Sequence, residues 1–190
     1  CHYLIDRQGW ITRILEDNQI AWHAGKSKWK NLINLNNNSI GIELVNKGHK
    51  LGYQKFSEKQ ILSLIKLCLK LKKKYKIKKT CTLGHSDIAP LRKIDPGEKF
   101  PWKILSKKGL GIWCPKLKKN LNINIKKSRN LFFKNLHKIG YRYFNKKKKT
   151  SRDKLIIKNF QRRFSPDNIS GIIDQKTYEI SHFLANSVKN

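Results

Sequence analysis

The sequence predicts an α/β fold in which a mixed central β-sheet is flanked by helices, followed by a small three-helix domain. Short segments with strand character and one long amphipathic helix occupy the first 115 of the 190 residues. After Cys114-Pro115, residues 116–150 contain many Lys and Arg but no acidic residue, and helical patterns follow. These observations divide the chain into an α/β domain at 1–115, a linker at 116–126 and a helical domain at 127–190.

The first strands are predicted from alternation and turn residues. The segment HYLIDRQGWITRIL, residues 2–15, reads as two strands joined at Arg7-Gln8-Gly9, because glycine suits a tight hairpin turn. AWHAG at 21–25 reads as a loop, and NLNNNS at 34–39 has turn chemistry. SIGIELVN at 39–46 is predicted to be a strand, with Ile42 and Leu44 on one face and Glu43 on the other.

The clearest helix begins after Ser57. Ser57 and Gln60 have capping-box spacing, and an apolar repeat at helical spacing carries the helix to about Lys74. KKTCTLGH at 78–85 looks like a further strand that delivers His85 to its end. FPWKIL at 100–105 starts a short helix, since proline is tolerated in a first turn.

Three helical patterns predict the C-terminal domain. The first lies around Leu131 and Ile139, the second runs from Thr150 to Phe164, and the third begins at an Asp174 N-cap.

The net charge of +31, from 43 basic and 12 acidic residues, predicts attraction to polyanions. The excess is mostly Lys and comes with many Asn and Ile, which all have A/T-rich codons, so genome composition is an alternative cause. No nucleic-acid-binding motif accompanies the charge, and we expect no specific nucleic-acid partner. No apolar run reaches the roughly 18 residues of a membrane span. The chain contains no Met, which indicates processing or a fragment.

The segment GHSDIAPLRKIDPG, residues 84–97, contains the residue types of a metal site. His85 and Asp95 are both zinc ligands in other proteins, and Pro90 and Pro96 would stiffen the loop between them. Glu43 could act as a general base towards a water, and Lys93 could stabilise a developing oxyanion. By spacing alone, a chance His–Asp pair and a solvated Glu43 remain open alternatives.

The order and spacing of five segments favour a metal site over a chance His–Asp pair. These segments are HYLID, AWHAG, NLNNNSIGIELVN, GHSDIAPLRKIDPG and FPW. Together they closely resemble the type-2, zinc-dependent N-acetylmuramoyl-L-alanine amidases of bacteria, relatives of the peptidoglycan-recognition proteins. The resemblance covers roughly Cys1 to Trp113. The tail segments KNFQRRF and SGIIDQKTY look like a three-helix peptidoglycan-binding domain.

The resemblance implies a zinc-dependent hydrolysis of the amide between N-acetylmuramic acid and L-alanine, with peptidoglycan or muropeptides as the substrate. It makes His85 and Asp95 zinc ligands, Glu43 the catalytic acid and base, and Lys93 the cation near the scissile carbonyl. Three further residues fall where the family lines its substrate groove: Trp22, His23 and Asn36.

The sequence departs from the family pattern at the third ligand. The family has a further zinc histidine on a first core strand that precedes the segment matching CHYLID, so we expect this chain to be N-terminally truncated. His2 matches the later segment, and its simpler reading is a histidine at a strand end; His23 is the candidate replacement. The alternative function is therefore a catalytically inactive remnant that still binds peptidoglycan.

The remaining expectations rest on weaker signals. A wall-binding tail favours the periplasm or cell envelope, whereas recycling enzymes with the same motifs make a cytoplasmic location the alternative. We expect a monomer.

Overall fold

The computed structural model describes residues 1–115 and 125–188 of the chain. Its central sheet has three strands in the order β2-β1-β5, with β1 (Tyr3–Ile5) antiparallel to β2 (Ile11–Arg13) and parallel to β5 (Ile42–Leu44). The predicted hairpin is confirmed, and Gly9 in its turn has a φ of 88° that favours glycine. The predicted mixed sheet with flanking helices is therefore confirmed.

A second, two-stranded hairpin was not predicted from the sequence. It pairs β3 (Lys28–Trp29) with β4 (Leu32–Ile33), and Leu35–Asn37 then form one 3-10 turn. The strands are only two residues long, which is too short for an alternating apolar and polar pattern to be recognised in the sequence. The buried Trp29 ring contacts the ring of Tyr141 at a centroid distance of 5.0 Å, and this long-range packing holds the hairpin in place.

Helix α1 (Glu58–Lys74) covers one face of the sheet, as predicted. The Ser57 hydroxyl accepts a hydrogen bond from the Gln60 backbone N–H at 3.2 Å, but the reciprocal half of the capping box is absent. Gln60 is fully buried, and its side-chain amide donates instead to the carbonyls of Ile5 at 3.0 Å and Val45 at 3.2 Å. Gln60 thereby links α1 to β1 and to the residue that follows β5.

The strand predicted at 78–85 is wrong. Lys79–Cys81 form a 3-10 turn, and His85 begins the short helix α2 (His85–Ile88). Thr82 and Gly84 do have extended backbone, but no described strand pairs with them. A β-ladder requires a neighbouring strand, which propensity cannot supply. The short helix predicted at FPWKIL is confirmed as α3 (Trp102–Lys107).

The three C-terminal helices are confirmed as α4 (Ile125–Ile139), α5 (Asp153–Phe164) and α6 (Gln175–Ser187). Asp174 caps α6, because its carboxylate accepts from the Thr177 N–H at 2.7 Å. Most of the predicted linker at 116–126 lies outside the described residues. Across the described part of the chain, no helix combines the length and apolar character that crossing a membrane requires.

Two apolar clusters organise the interior. One joins α1 to the central sheet and α3, and includes Ile5, Leu64 and Leu105. The other joins α4, α5 and α6 to the β3–β4 region and to α2, and includes Phe160, Trp29 and Ile88. The second cluster therefore crosses the predicted boundary between the two domains.

Candidate metal site

The candidate site is built on residues 84–97, which we call the metal loop. Its two ends lie side by side, since the Ser86 N–H donates to the Asp95 carbonyl at 2.9 Å. Gly84 is required for this closure: a Cβ at that position would lie only 2.6 Å from Cδ of Pro96. The Gly84 N–H also donates to the Asp87 carboxylate at 2.8 Å, which fixes the start of α2 directly before His85.

The metal loop brings His85 and Asp95 together, as the sequence led us to expect. Nδ1 of His85 lies 3.1 Å from Oδ2 of Asp95. Two ligands at about 2.0 to 2.1 Å from a tetrahedral zinc are about 3.3 Å apart, so this separation suits a shared metal ion. The site faces solvent mainly through Asp95, whose side chain is 56% exposed, whereas that of His85 is 15% exposed.

The second ring nitrogen of His85 is oriented by the backbone. Nε2 lies 3.2 Å from the Ala24 carbonyl, which can accept its proton. A metal-binding histidine is commonly held in this way, since donation from one nitrogen leaves the lone pair of the other available. The donor set and its orientation therefore fit zinc.

The carboxyl of Asp95 is held in its ionised form. Burial raises its pKa, but the interaction with His85 and the charge of Lys93 outweigh burial and leave the pKa below its ordinary value. Lys93 therefore acts electrostatically on the same carboxylate that would bind a metal. An ionised carboxylate is the form that coordinates zinc.

The AWHAG loop forms the neighbouring wall and is organised by Asn36. The buried side-chain oxygen of Asn36 accepts from the backbone N–H groups of His23 at 3.1 Å, Ala24 at 2.7 Å and Gly25 at 3.3 Å. The Arg92 side chain of the metal loop donates a hydrogen bond to the Ala24 carbonyl of the AWHAG loop. Asn36 thus has a clear role in loop architecture, and its role in substrate binding stays a prediction.

His23 is half-buried between the AWHAG loop and the sheet. Its ring nitrogens lie 2.8 Å from the Ala21 carbonyl and 3.0 Å from the Ser39 hydroxyl, and burial lowers its pKa. Its ring also contacts that of His2 edge-on at a centroid distance of 5.5 Å. Both nitrogens of His23 are therefore engaged within the chain.

Glu43 lies on the sheet face opposite α1. It is an exposed residue in β5 and pairs with Leu4, whereas Tyr3 and Ile5 point towards α1. His2, which precedes β1 and accepts from the Gly41 N–H through Nδ1 at 3.0 Å, points to the same face as Leu4. Since His2 contacts His23, Glu43 shares its face of the sheet with the AWHAG loop.

Two other predicted site residues present accessible side chains. Trp22 is 87% exposed beside His23, so its ring offers an uncovered apolar surface. Lys93 is partly exposed next to Asp95. The placement of both residues is compatible with substrate contact, and their roles stay predictions.

Within the ranges 1–115 and 125–188, no group of three or more His, Cys, Asp or Glu side chains could hold a metal ion. His85 and Asp95 therefore form a two-ligand set there, and His23 does not join it. Catalytic zinc commonly has three protein ligands, so this set is one short of that number.

Sequence reasoning missed the residues of the C-terminal region that hydrogen-bond to the metal loop. Asp87 is buried and paired with Arg163 of α5, and Tyr141 donates to the same carboxylate. Asn159 of α5 donates to the carbonyls of Pro90 and Lys93. The only sequence signal was a polar residue on the apolar face of a predicted helix, which does not reveal its partner.

Comparison with known proteins gives a family match that spans the metal loop. A family model described as N-acetylmuramoyl-L-alanine amidase matches residues 1–98. The chain belongs to this amidase family. The match includes β1, β5 and the metal loop.

Curated relatives in the amidase family include N-acetylmuramoyl-L-alanine amidase AmiD of Escherichia coli, which is 33% identical over 185 residues. That match covers 92% of this chain and 66% of AmiD. The 1,6-anhydro-N-acetylmuramyl-L-alanine amidase AmpD of Haemophilus influenzae is 43% identical over 103 residues, or 54% of each protein. The chain thus spans just under two thirds of AmiD and about half of AmpD.

Solved structures of the amidase family extend the likeness to the C-terminal helices. AmiD from E. coli, in complex with the substrate anhydro-N-acetylmuramic acid-L-Ala-D-gamma-Glu-L-Lys, matches with a TM-score of 0.84 and 30% identity. The match covers 98% of this chain and 79% of that one. AmpDh3 from Pseudomonas aeruginosa in complex with anhydromuramic pentapeptide matches with a TM-score of 0.83 and 27% identity. That match covers 100% of this chain and 82% of the AmpDh3 chain.

Proposed function

We propose that this chain carries the active site of a zinc-dependent N-acetylmuramoyl-L-alanine amidase. The single observation that supports this most is the pairing of His85 Nδ1 with Asp95 Oδ2 at 3.1 Å, with Nε2 of His85 directed at the Ala24 carbonyl. The substrate is the amide between the lactyl group of N-acetylmuramic acid and L-alanine, in peptidoglycan or in soluble muropeptides. Relatives named as amidases, and a relative solved with a muropeptide, support that choice.

Each residue has a distinct task in this proposal. His85 and Asp95 hold the zinc ion, and bound zinc supplies Lewis-acid polarisation of the amide carbonyl. Glu43 takes the proton of the attacking water and returns it to the leaving amine. Lys93 stabilises the negative charge that develops on the carbonyl oxygen.

The surrounding residues bind and orient the substrate. The exposed ring of Trp22 offers an apolar surface for the sugar or the peptide stem, and the Asn36 NH₂ can donate to a substrate carbonyl. His23 lines the same wall, where its hydrogen bonds to Ala21 and Ser39 fix its ring. The three C-terminal helices bind peptidoglycan, which favours the periplasm or cell envelope over the cytoplasm.

The alternative function is docking of muropeptides without hydrolysis. The observation that favours it is the two-ligand set, because zinc held by two side chains binds more weakly and leaves more positions to water. Full activity requires a third donor in addition to His85 and Asp95.

The deciding experiment measures zinc binding and amide hydrolysis on the same protein. The purified chain is titrated with zinc in competition with a chromophoric chelator. It is then incubated with anhydro-N-acetylmuramic acid-L-Ala-D-γ-Glu-L-Lys, and released peptide is quantified chromatographically. We expect zinc binding that His85→Ala abolishes, and hydrolysis that Glu43→Gln lowers by about 10²- to 10⁴-fold without loss of zinc.

Other outcomes separate the alternatives. Muropeptide binding without zinc binding would support the docking function and contradict the amidase proposal. Hydrolysis at an unchanged rate in Glu43→Gln would remove Glu43 from the mechanism. A chain that binds neither zinc nor muropeptide would contradict both functions.

A further inference from the structure

The metal loop has a second set of contacts, which come from α5. Asn159 is 3% exposed and lies on the face of α5 that meets the loop. Its side-chain NH₂ donates to the carbonyls of Pro90 at 2.8 Å and Lys93 at 2.9 Å. These carbonyls belong to an irregular segment between the two proposed ligands, where backbone partners are scarce.

One helical turn further on, Arg163 reaches the other end of the loop. It forms a buried ion pair with Asp87, whose carboxylate also accepts from the Gly84 N–H and from the Tyr141 hydroxyl. Arg163 also donates to the Thr82 carbonyl at 3.4 Å. Gly84 directly precedes His85, and Asp87 follows it by two residues. The Arg163 guanidinium therefore acts on the backbone around the proposed ligand through the Asp87 side chain.

The Arg163 side chain is itself held in place from two sides. Its guanidinium carbon lies 3.7 Å from the centroid of the Trp102 ring and 5.1 Å from that of Phe164. Stacking of this kind restricts the planar group in addition to its hydrogen bonds. The donors that α5 directs at the metal loop are therefore pre-organised.

Apolar packing connects the same two elements. Ile88 and Ala89 of the metal loop belong to the apolar cluster that contains Phe160 and Phe164 of α5. The loop is consequently held by burial at its middle and by hydrogen bonds on both sides of α2.

We propose that Asn159 and Arg163 are positioning residues that hold His85 and Asp95 in the geometry required for the metal. The proposal rests on the proposed function, because it takes these two residues as ligands. It assigns the C-terminal helices a role in building the active site, in addition to binding peptidoglycan. Positioning contacts to metal ligands typically change metal affinity by about 10- to 100-fold when removed.

A purely structural role for Asn159 is the competing explanation, and α5 offers a matched control. Gln161 is also a fully buried amide, but its hydrogen-bond partners lie in the helical region. It donates to Ser170 Oγ, the Ile172 carbonyl and Thr177 Oγ1, and accepts from the Gly171 N–H. Gln161→Ala therefore removes buried hydrogen bonds from the same helix without touching the metal loop.

The test compares Asn159→Ala with Gln161→Ala in the full chain. The first readout is zinc affinity from chelator competition, and the second is hydrogen exchange of the loop amides of Ser86, Ala89 and Lys93. Urea unfolding measures the stability of each variant, so that loop exchange is compared at equal global stability. We expect Asn159→Ala to weaken zinc binding about 10-fold and to accelerate loop exchange by a similar factor.

The control should behave differently. Gln161→Ala should lose comparable stability yet change zinc affinity less than about twofold. Equal effects of the two variants on both readouts would overturn the proposal. If Asn159→Ala does not fold, Asn159→Ser retains one donor, and it should give an intermediate loss of zinc affinity.

Failure of the proposed function gives a different pattern. If the unmodified chain binds no zinc, the assignment of the ligands is contradicted. The exchange of the loop amides still reports whether Asn159 holds the metal loop in place. Unchanged loop exchange in Asn159→Ala would then overturn the positioning role independently.

Discussion

The sheet and the metal loop are each supported by one long helix, but the two helices use different kinds of contact. Helix α1 packs on the sheet mainly through apolar side chains such as Leu64 and Leu71, with Gln60 as a buried polar link. Helix α5 meets the metal loop with apolar residues and also with Asn159 and a buried Arg163. The α5 interface therefore contains more buried side-chain hydrogen bonds and ion pairs than the α1 interface.

The difference follows from the backbone that each helix supports. Strands pair their own N–H and carbonyl groups in ladders, so α1 needs to supply little beyond apolar surface. The metal loop contains only four helical residues, and its other carbonyls need donors from elsewhere. A segment that is irregular enough to aim two ligands at one point therefore depends on side chains from a distant helix.

The largest predicted effect is on the α5 interface. Arg163→Met should destabilise the fold by about 3 to 5 kcal/mol, because it leaves the buried Asp87 carboxylate without its cation. Urea unfolding monitored by circular dichroism measures the change in the free energy of unfolding. The matched control is Arg13→Met, which breaks an exposed pair with Glu16 and a longer contact of 3.8 Å with Asp17, and it should cost less than about 1 kcal/mol.

A second substitution tests whether the cost comes from the orphaned charge. Asp87→Asn added to Arg163→Met removes that charge and should recover part of the lost stability. Equal destabilisation by Arg163→Met and Arg13→Met would mean that the buried pair contributes no more than a surface pair. The contrast between the two interfaces would then be wrong.

A smaller effect is predicted at the α1 interface. Gln60→Leu should cost about 1 to 3 kcal/mol, since it removes the Gln60 donor from the Val45 carbonyl and leaves the Ile5 carbonyl with the Val45 N–H at 3.0 Å. The same substitution at the exposed Gln8 should change stability by no more than about 0.5 kcal/mol. Urea unfolding measures both variants, and chelator competition measures their zinc affinity.

This substitution also sharpens the comparison between the two helices. Because Gln60 contacts the sheet and not the metal loop, Gln60→Leu should lower stability without weakening zinc binding in the folded protein. A loss of zinc affinity as large as that in Asn159→Ala would show that the loop responds to any destabilisation. The distinction between support of the sheet and support of the site would then fail.

The sequence predicted the elements that carry their signal locally. The apolar repeat after Ser57 defined α1, and the Asp174 cap defined the start of α6. The pairing of His85 with Asp95 was also predicted, because prolines and a resemblance to a known family marked that loop. In each case, the determining residues lie within one turn, one helix or one loop.

What could not be predicted depends on distant partners. Thr82 and Gly84 are extended as expected, but no described strand pairs with them, so no ladder forms. The Gln60 side chain was expected to cap its own helix, yet it bonds to carbonyls about 15 and 55 positions away along the chain. Likewise, nothing near Asn159 indicates that its partners are Pro90 and Lys93.

The smallest predicted effect concerns pH and the rim of the α1 interface. The Asp17 carboxylate accepts hydrogen bonds from the Tyr3 hydroxyl, from Lys74 at 2.9 Å and from the Tyr75 hydroxyl at 2.8 Å. Burial raises its pKa, but these hydrogen bonds outweigh burial and hold the pKa well below its ordinary value. A carboxyl with a lowered pKa stabilises the fold fully above its ordinary pKa, and the contribution disappears as pH falls through the lowered value.

Asp17→Asn should therefore cost about 1 to 2 kcal/mol at pH 7 and progressively less below about pH 4. Urea unfolding of both proteins between pH 7 and pH 3 gives the difference curve, which isolates Asp17 from the other carboxyl groups. A difference that stays constant over this range would mean that the hydrogen bonds of Asp17 do not depend on its charge. The α1 interface would then be apolar in its energetics as well as in its composition, and the contrast with the charged α5 interface would become sharper.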